Sequence, residues 1–420
     1  MKKLLFLAAA AISFSAYAQK SEVKNARNAL ADKDFAKAQS SIDAAVANPE
    51  TQSDPAAWHT RSIVYMVMQQ QPGNEGKQYY QEALKSLQKV IELKPAYEKE
   101  DVNKKLFAIA QYNFNDGIHA FQDKQDFTNS YSYFENVLNI HDIDGGQRFT
   151  GNKVFDTIAR QAAAYQGYSA YYANRYEEAL PLLIKAKTDP IVKDVRNYLM
   201  IADIYDSKKD DANLLATINE AKAAYPKDQS VINRELNYYA SRNKSEELIS
   251  RIQEAMKADP TNADLAFNLA VSYDNMANPK DTKGNDLPKP ANYAELFKNA
   301  ETAYENSAKL GPNKADIFYN YGALYYNRGV TVNDEINKLG SSSADIKKAE
   351  ELTTQRNDWF NKAVPQFEKA IAIWEPQAKK LKGEDFNSYQ FAIVKAKEIY
   401  ARQNNIEKTN EMKKKLEALK

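Results

Sequence analysis

Cysteine is absent from this chain of 420 residues. Its absence excludes disulfides, thiolate metal sites, cysteine nucleophiles and the lipid-bearing cysteine of a bacterial lipoprotein. Histidine is nearly absent too: His59, His119 and His141 are the only three, and none has a second metal-capable residue at a recognised ligand spacing. His119, inside an apolar-aromatic stretch, reads as a packed residue. Glycine (13) and proline (14) are scarce, and valine and isoleucine do not dominate, whereas alanine, lysine, glutamate, leucine and asparagine do, which favours helix. Glycine runs that cradle phosphate, a nucleophile-elbow serine and strands to carry either are missing. "DIDGG" from Asp142 has Lys153 where a calcium loop needs its bidentate glutamate, and reads as a turn. Carboxylates are scattered along helix faces with no acid–base pairing. The expectation is a protein that is not an enzyme and takes no cofactor or metal.

One-sided charge is lacking as well. The formal net charge is +1, and without Lys2 and Lys3 it becomes 1 − 2 = −1. That leaves no electrostatic footprint for nucleic acid, and the Lys413–Lys415 run reads as a solvated helix face. Long apolar runs are missing beyond the amino terminus, so no transmembrane segment is expected after it. At that terminus Lys2 and Lys3 precede an apolar stretch from Leu4 to Phe14, broken only by Ser13, and then Ala16-Tyr17-Ala18. Eleven residues are too few for a bilayer core about 30 Å thick. The pattern is that of a signal peptide over residues 1–18, with Gln19 the new terminus. Export is expected, to the periplasm or alternatively to the cell surface or medium.

What the chain does contain is a count. Pro226 and Pro260 stand 34 residues apart. Before Pro260 come Ala255, Ile252, Leu248, Tyr239, Leu236 and Ile232; before Pro226, at the same offsets, come Ala221, Ile218, Leu214, Tyr205, Ala202 and Tyr198. Spacings of three, four and seven put each set on helix faces, and the polar breaks "SRNKSE" and "SKKDD" split each set into two helices. Proline closes the second helix. The second-helix pattern recurs as "DFAKAQSSIDAAVANP", "YYQEALKSLQKVIELKP", "DFTNSYSYFENVLNI", "RYEEALPLLIKAK", "LFKNAETAYENSAKLGP" and "WFNKAVPQFEKAIAIWEP", and a weaker pair runs from Phe386 to Leu419. The period, the small residues (Ala202, Ala270 and Gly322 on first helices, Ala179 and Ala300 on second ones) and the closing proline resemble the tetratricopeptide repeat.

That resemblance implies an all-α, right-handed superhelical solenoid of about nine antiparallel helix pairs. Residues 19–140 would form the first pairs, the glycine-containing 141–151 a linker or bend, 152–380 the central array and 381–420 a capping pair. Insertions are expected at 275–292 and 327–358. The second should lengthen two helices into a projecting hairpin near 315–375, with Ser343 as an N-cap. Pro181 and Pro365 are expected near the first turns of second helices, where they cost little.

The resemblance also implies recognition of a protein partner along a concave groove lined by first helices. Running the register forward places Tyr168, Tyr172, Asn233, Asn237, Asp274, Tyr319, Tyr326 and Asn327 on that face. Tyrosine offers contact area at low conformational cost, and asparagine can pair with a peptide backbone. Repeats of this kind that clamp a chaperone's terminal carboxylate use lysines and an arginine beside two amides. Here Asn237 and Asn268 match the amides, but Asn233, Asp316 and Asn320 replace the cations, which disfavours that activity. The alternative is an envelope protein associated with glycan or peptidoglycan, its tyrosines stacking on sugars.

Overall fold

The computed structural model describes residues 21–281 and 283–419. The expected signal peptide therefore lies outside the described residues. Within them helices are joined by turns and loops, and the one extended pairing among the described residues is an isolated bridge between Lys280 and Asp286. The helices, in consecutive pairs, are α1 (residues 21–31) with α2 (Phe35–Ala47), α3 (Pro55–Gln69) with α4 (Tyr79–Leu93), α5 (Lys99–Gln122) with α6 (Phe127–His141), and α7 (Lys153–Tyr172) with α8 (Tyr176–Thr188). Then follow α9 (Val195–Ser207) with α10 (Asp211–Ala224), α11 (Gln229–Ser241) with α12 (Ser245–Ala258), and α13 (Ala263–Ala277) with α14 (Tyr293–Leu310). The last are α15 (Ala315–Ile336) with α16 (Ser343–Trp374) and α17 (Gly383–Arg402) with α18 (Ile406–Glu417). The starts of α9, α11 and α13, at Val195, Gln229 and Ala263, keep the interval of 34. The chain divides into two compact units between Val231 and Ile232. In each unit consecutive helices pack on one another in chain order, the arrangement of an all-α solenoid.

A repeated turn builds the pairs. Lys33, Gln125, Asn174, Lys209, Asn243 and Asn404 take left-handed backbone conformations, with φ between 52° and 61°. Each ends a first helix, and the next residue's N–H reaches back to it: Asp34 N to Ala29 O at 2.8 Å, Asp210 N to Tyr205 O at 2.9 Å, Asn405 N to Tyr400 O at 2.9 Å. This is the left-handed C-terminal closure of a helix. In the same stroke the side chains of Asp34, Asp126, Asp210 and Asn405 accept from backbone N–H groups of the second helix and cap it. Two adjacent residues thus stop one helix and start its partner.

Close packing sets how the pairs interlock. A Cβ added at Gly322 would sit 2.8 Å from Phe367, one at Gly329 2.5 Å from Phe360, and one at Gly117 2.9 Å from Phe134. Each first-helix glycine leaves a notch for a phenylalanine of its own second helix. Phe367 and Phe134 are wholly buried, each contributing roughly 1.5–3 kcal/mol over exposure. Ala202, Ala270, Ala179 and Ala300 are buried, as the register requires. Tyr325 fills space toward α14, its hydroxyl donating to Glu301 at 2.7 Å.

Several details depart from expectation. The N-cap of α16 is Ser342, not Ser343, because the Ser342 hydroxyl accepts from Asp345 N and Ser343 is already helical. Since α16 is 32 residues long, about 48 Å, Pro365 lies deep inside it rather than near its start. The carbonyl it leaves unpaired belongs to the exposed Asn361, where water can satisfy it. The segment 141–151 contains a short 3-10 turn whose Arg148 and Phe149 are buried. Arg148 bonds Asp144 at 2.8 Å, Asn103 at 2.9 Å and the Pro95 carbonyl at 3.2 Å, tying this segment to α5 and to the turn before it.

Filling the notch should destabilise: Gly322→Leu is expected to cost about 1–3 kcal/mol, read as a lowered urea midpoint with unchanged helical circular dichroism. Lys209→Gly, which relieves a left-handed residue, is expected to hold the midpoint or raise stability by up to about 1 kcal/mol. A fall would contradict the turn geometry described.

Candidate functional site

The first-helix faces are described unit by unit. In the first unit, α5 and α7 enclose a groove of about 450 Å³ lined by Ala108, Gln111, Tyr112, Phe114, Asn115 and Ile158. Ala108, Gln111, Tyr112 and Asn115 form one stripe of α5, since they are spaced three, one and three apart. Tyr112 is held by stacking on Tyr80, ring centroids 5.3 Å apart, and Phe114 packs edge-on against Phe134 at 5.6 Å. Gln111 and Asn115 are exposed above this half-buried floor. The groove therefore combines a fixed apolar base with two amides able to pair with a peptide backbone. None of its residues was among those expected from the sequence. The signal was present in "AIAQYNFN", where a helical stripe carries two amides that packing does not require.

The expected residues fall into different settings. Tyr168 is buried, with 4% of its surface exposed and Arg196 5.4 Å from its ring centroid, so it packs between helices instead of facing a groove. Burial pushes its hydroxyl up to about 12. Tyr172 is 46% exposed, its ring stacked on Phe127 at 5.1 Å and set edge-on to Phe121 at 5.7 Å.

In the second unit, Asn233 and Asn237 are exposed on α11. Asp274 is half-buried and accepts from Asn278 at 2.6 Å. Burial raises its carboxyl above the usual range against the opposing pull of that bond, Lys289 and Lys280. Tyr319 and Tyr326 are brought together with residues of α17 that sequence reasoning did not select. Tyr319 meets Phe391 edge-on at 6.0 Å, and the Tyr326 hydroxyl donates to Glu398 at 2.7 Å. The Lys395 ammonium lies 4.8 Å from the Tyr326 ring and 4.9 Å from that of Phe391. Asn327 is exposed beside them. The α17 residues escaped notice because the last pair is the weakest match to the repeat.

Each histidine bonds an aspartate. His119 is 54% exposed and pairs with Asp123 in the last turn of α5, which corrects the expectation of a packed residue. His59 is buried against Tyr97 and bonds Asp101 at 2.6 Å. His141 bonds Asp142 at 3.0 Å and Asp156 at 3.1 Å, linking α6 to α7 on the wall of a cavity of about 480 Å³. There Arg160 and Asp189 approach within 3.7 Å, so most charges of this cavity neutralise one another. Among the described residues no group of three or more His, Cys, Asp or Glu could hold a metal ion, and no helix is long and apolar enough to cross a membrane.

No protein-family model and no curated protein matches the chain. Solved structures of helical repeats do overlap it. The C-terminal part of a TPR repeat-containing protein from Cytophaga hutchinsonii is 12% identical over 73% of this chain and 95% of its own, with a TM-score of 0.45. A MamA structure is 18% identical over 53% of this chain and 99% of its own, with a TM-score of 0.32. YrrB, described as a TPR protein with an unusual peptide-binding site, is 14% identical over 54% of this chain and 92% of its own, with a TM-score of 0.31. Overlaps this weak do not bear on function. The class that the coordinates define is a helical-hairpin repeat protein.

His141 supplies a pH-dependent tie. Burial opposes its charge, but the hydrogen bonds to Asp142 and Asp156 outweigh it and raise the imidazole above 6.5. A raised folded value means stabilisation that is fully present below 6.5 and lost as pH climbs through the folded value. The thermal midpoint should therefore fall over that window. His141→Gln should remove this part of the pH dependence, checked by melting curves across pH and an NMR titration of the imidazole.

Proposed function

We propose that this protein is an exported, non-enzymatic scaffold that holds an extended or helical segment of a protein partner against its first-helix faces. The observation that carries the reading is the α5–α7 groove, where Gln111 and Asn115 stand exposed over Ala108, Tyr112, Phe114 and Ile158. A volume of about 450 Å³ lies within the range of ligand sites, which pair an apolar lining with a few placed polar groups. Stacked hairpins present such faces on rigid elements, so a bound segment loses its own freedom without requiring the protein to reorganise. The residues expected from the sequence belong to this proposal as partner contacts, each on the first-helix face of its own unit, except Tyr168, whose burial leaves it a supporting role. Export to the periplasm rests on the signal-peptide pattern of residues 1–18.

A second reading has one observation in its favour. The Tyr172 ring, exposed and braced by Phe127 and Tyr171, is a platform on which a sugar could stack. Sedimentation with purified cell wall, lost in Tyr172→Ala, would support glycan association in place of protein binding.

A photoreactive residue placed at Gln111 or Asn115 should capture a partner protein in the native cell, whereas one at the exposed Glu135 of α6 should not. Ala108→Arg should reduce capture at least about tenfold, near 1.4 kcal/mol. Equal capture at all three positions would overturn the groove assignment. Sequencing the amino terminus of the protein recovered from envelope fractions should begin at Gln19.

A further inference from the structure

The facing stripes of α15 and α17, in the second unit, carry an uncompensated charge beside an exposed aromatic ring. On α15 the stripe is Asp316, Tyr319, Ala323 and Tyr326; on α17 it is Glu384, Ser388, Phe391, Lys395 and Glu398. Contacts between them run like rungs. Tyr319 meets Ser388 and Phe391, while Tyr326 meets Lys395 and Glu398. At the upper end, Lys395 and Glu398 pair at 3.2 Å and neutralise each other. At the lower end, Asp316, Glu384 and Asp385 have no ion pair among the described residues. Lys314, whose charge acts on Asp316, is paired with Asp264 of α13, at 2.5 Å.

Carboxylates in the first turn of a helix are favoured by the helix dipole, which would explain each of the three separately. It does not explain their convergence. Although Asp316 is exposed as a residue, partial desolvation of its carboxyl and the neighbouring charges of Asp385 and Glu384 push that carboxyl upward, against Lys314. Relief would come from a cation supplied from outside. Next to this acidic end Phe391 is 40% exposed, although Tyr319 braces one side of it. An exposed ring there gains by covering apolar or aromatic surface, and a guanidinium stacks on such rings as readily as it pairs with carboxylates.

We infer that the α15–α17 face binds a protein segment in which a lysine or arginine stands next to an aromatic residue. The basic group would lie among Asp316, Glu384 and Asp385, and the aromatic side chain would cover Phe391 and Tyr319. This rests on the reading that first-helix faces bind partner segments. It concerns the second unit alone, so capture at Gln111 and binding here can fail separately.

The test is fluorescence anisotropy of the full chain with labelled heptapeptides centred on Lys-Arg-Phe, Lys-Arg-Ala and Glu-Glu-Phe. The Lys-Arg-Phe peptide should bind at least about tenfold tighter than either of the others, and more weakly as salt rises. Asp316→Asn combined with Glu384→Gln should weaken it about tenfold and flatten the salt dependence, while Phe391→Ala should lower affinity without changing the salt slope. Circular dichroism of each variant should match the wild type. Equal affinity for Glu-Glu-Phe, no binding of Lys-Arg-Phe at about 1 mM, or folded variants that bind as wild type would each overturn the assignment.

Discussion

Each helix pair depends on the short distance between its two axes, and that distance is set where a small first-helix residue meets a large second-helix one. Gly322 against Phe367, Gly329 against Phe360 and Gly117 against Phe134 leave no room for a methyl group. Interiors at crystal-like density tolerate neither a gap nor an overlap there. The same constraint accounts for the buried alanines at 179, 202, 270 and 300. With the axes close, the remaining apolar surface of each pair turns outward to its neighbours, and stacking in chain order is the way to bury it.

The turns keep this geometry repeatable. Placing a left-handed residue directly before a capping aspartate or asparagine closes one helix and opens the next within two positions. Variation is then confined to places that the stack does not use. Residues 278–281 and 283–292 join α13 to α14 as a largely exposed loop, and the long α15–α16 hairpin extends helices that are already paired. Arg356 of α16 still reaches Asn333 of α15 at 3.0 Å in that extension.

Packing and recognition compete for the same residue type. Eleven tyrosines among the described residues are buried, Tyr168, Tyr304 and Tyr325 among them, and these are spacers. Those that remain accessible are braced from one side, Tyr172 by Phe127 and Tyr319 by Phe391. A ring so held presents a fixed surface at little entropic cost. The two proposed faces differ in their polar groups: amides over the Tyr112 and Phe114 rings of the α5–α7 groove, carboxylates beside Phe391. That difference in chemistry, on one architecture, is what gives each face its own proposed ligand.

Local pattern alone determined the helical class, the period of 34 and the alternation of helices with polar breaks, because helix faces and turn residues are governed by neighbours a few positions away. It also placed the small residues where axes meet. Which tyrosine packs and which faces outward was decided only by tertiary structure, since a first helix touches both its own partner and the next pair, and the register does not say how far each ring is covered. The same holds for Ser342 over Ser343 and for Pro365, whose cost depends on where α16 begins. The α5–α7 groove and the pairing of Tyr319 with Phe391 join residues distant in the chain, and no spacing rule reaches across that distance.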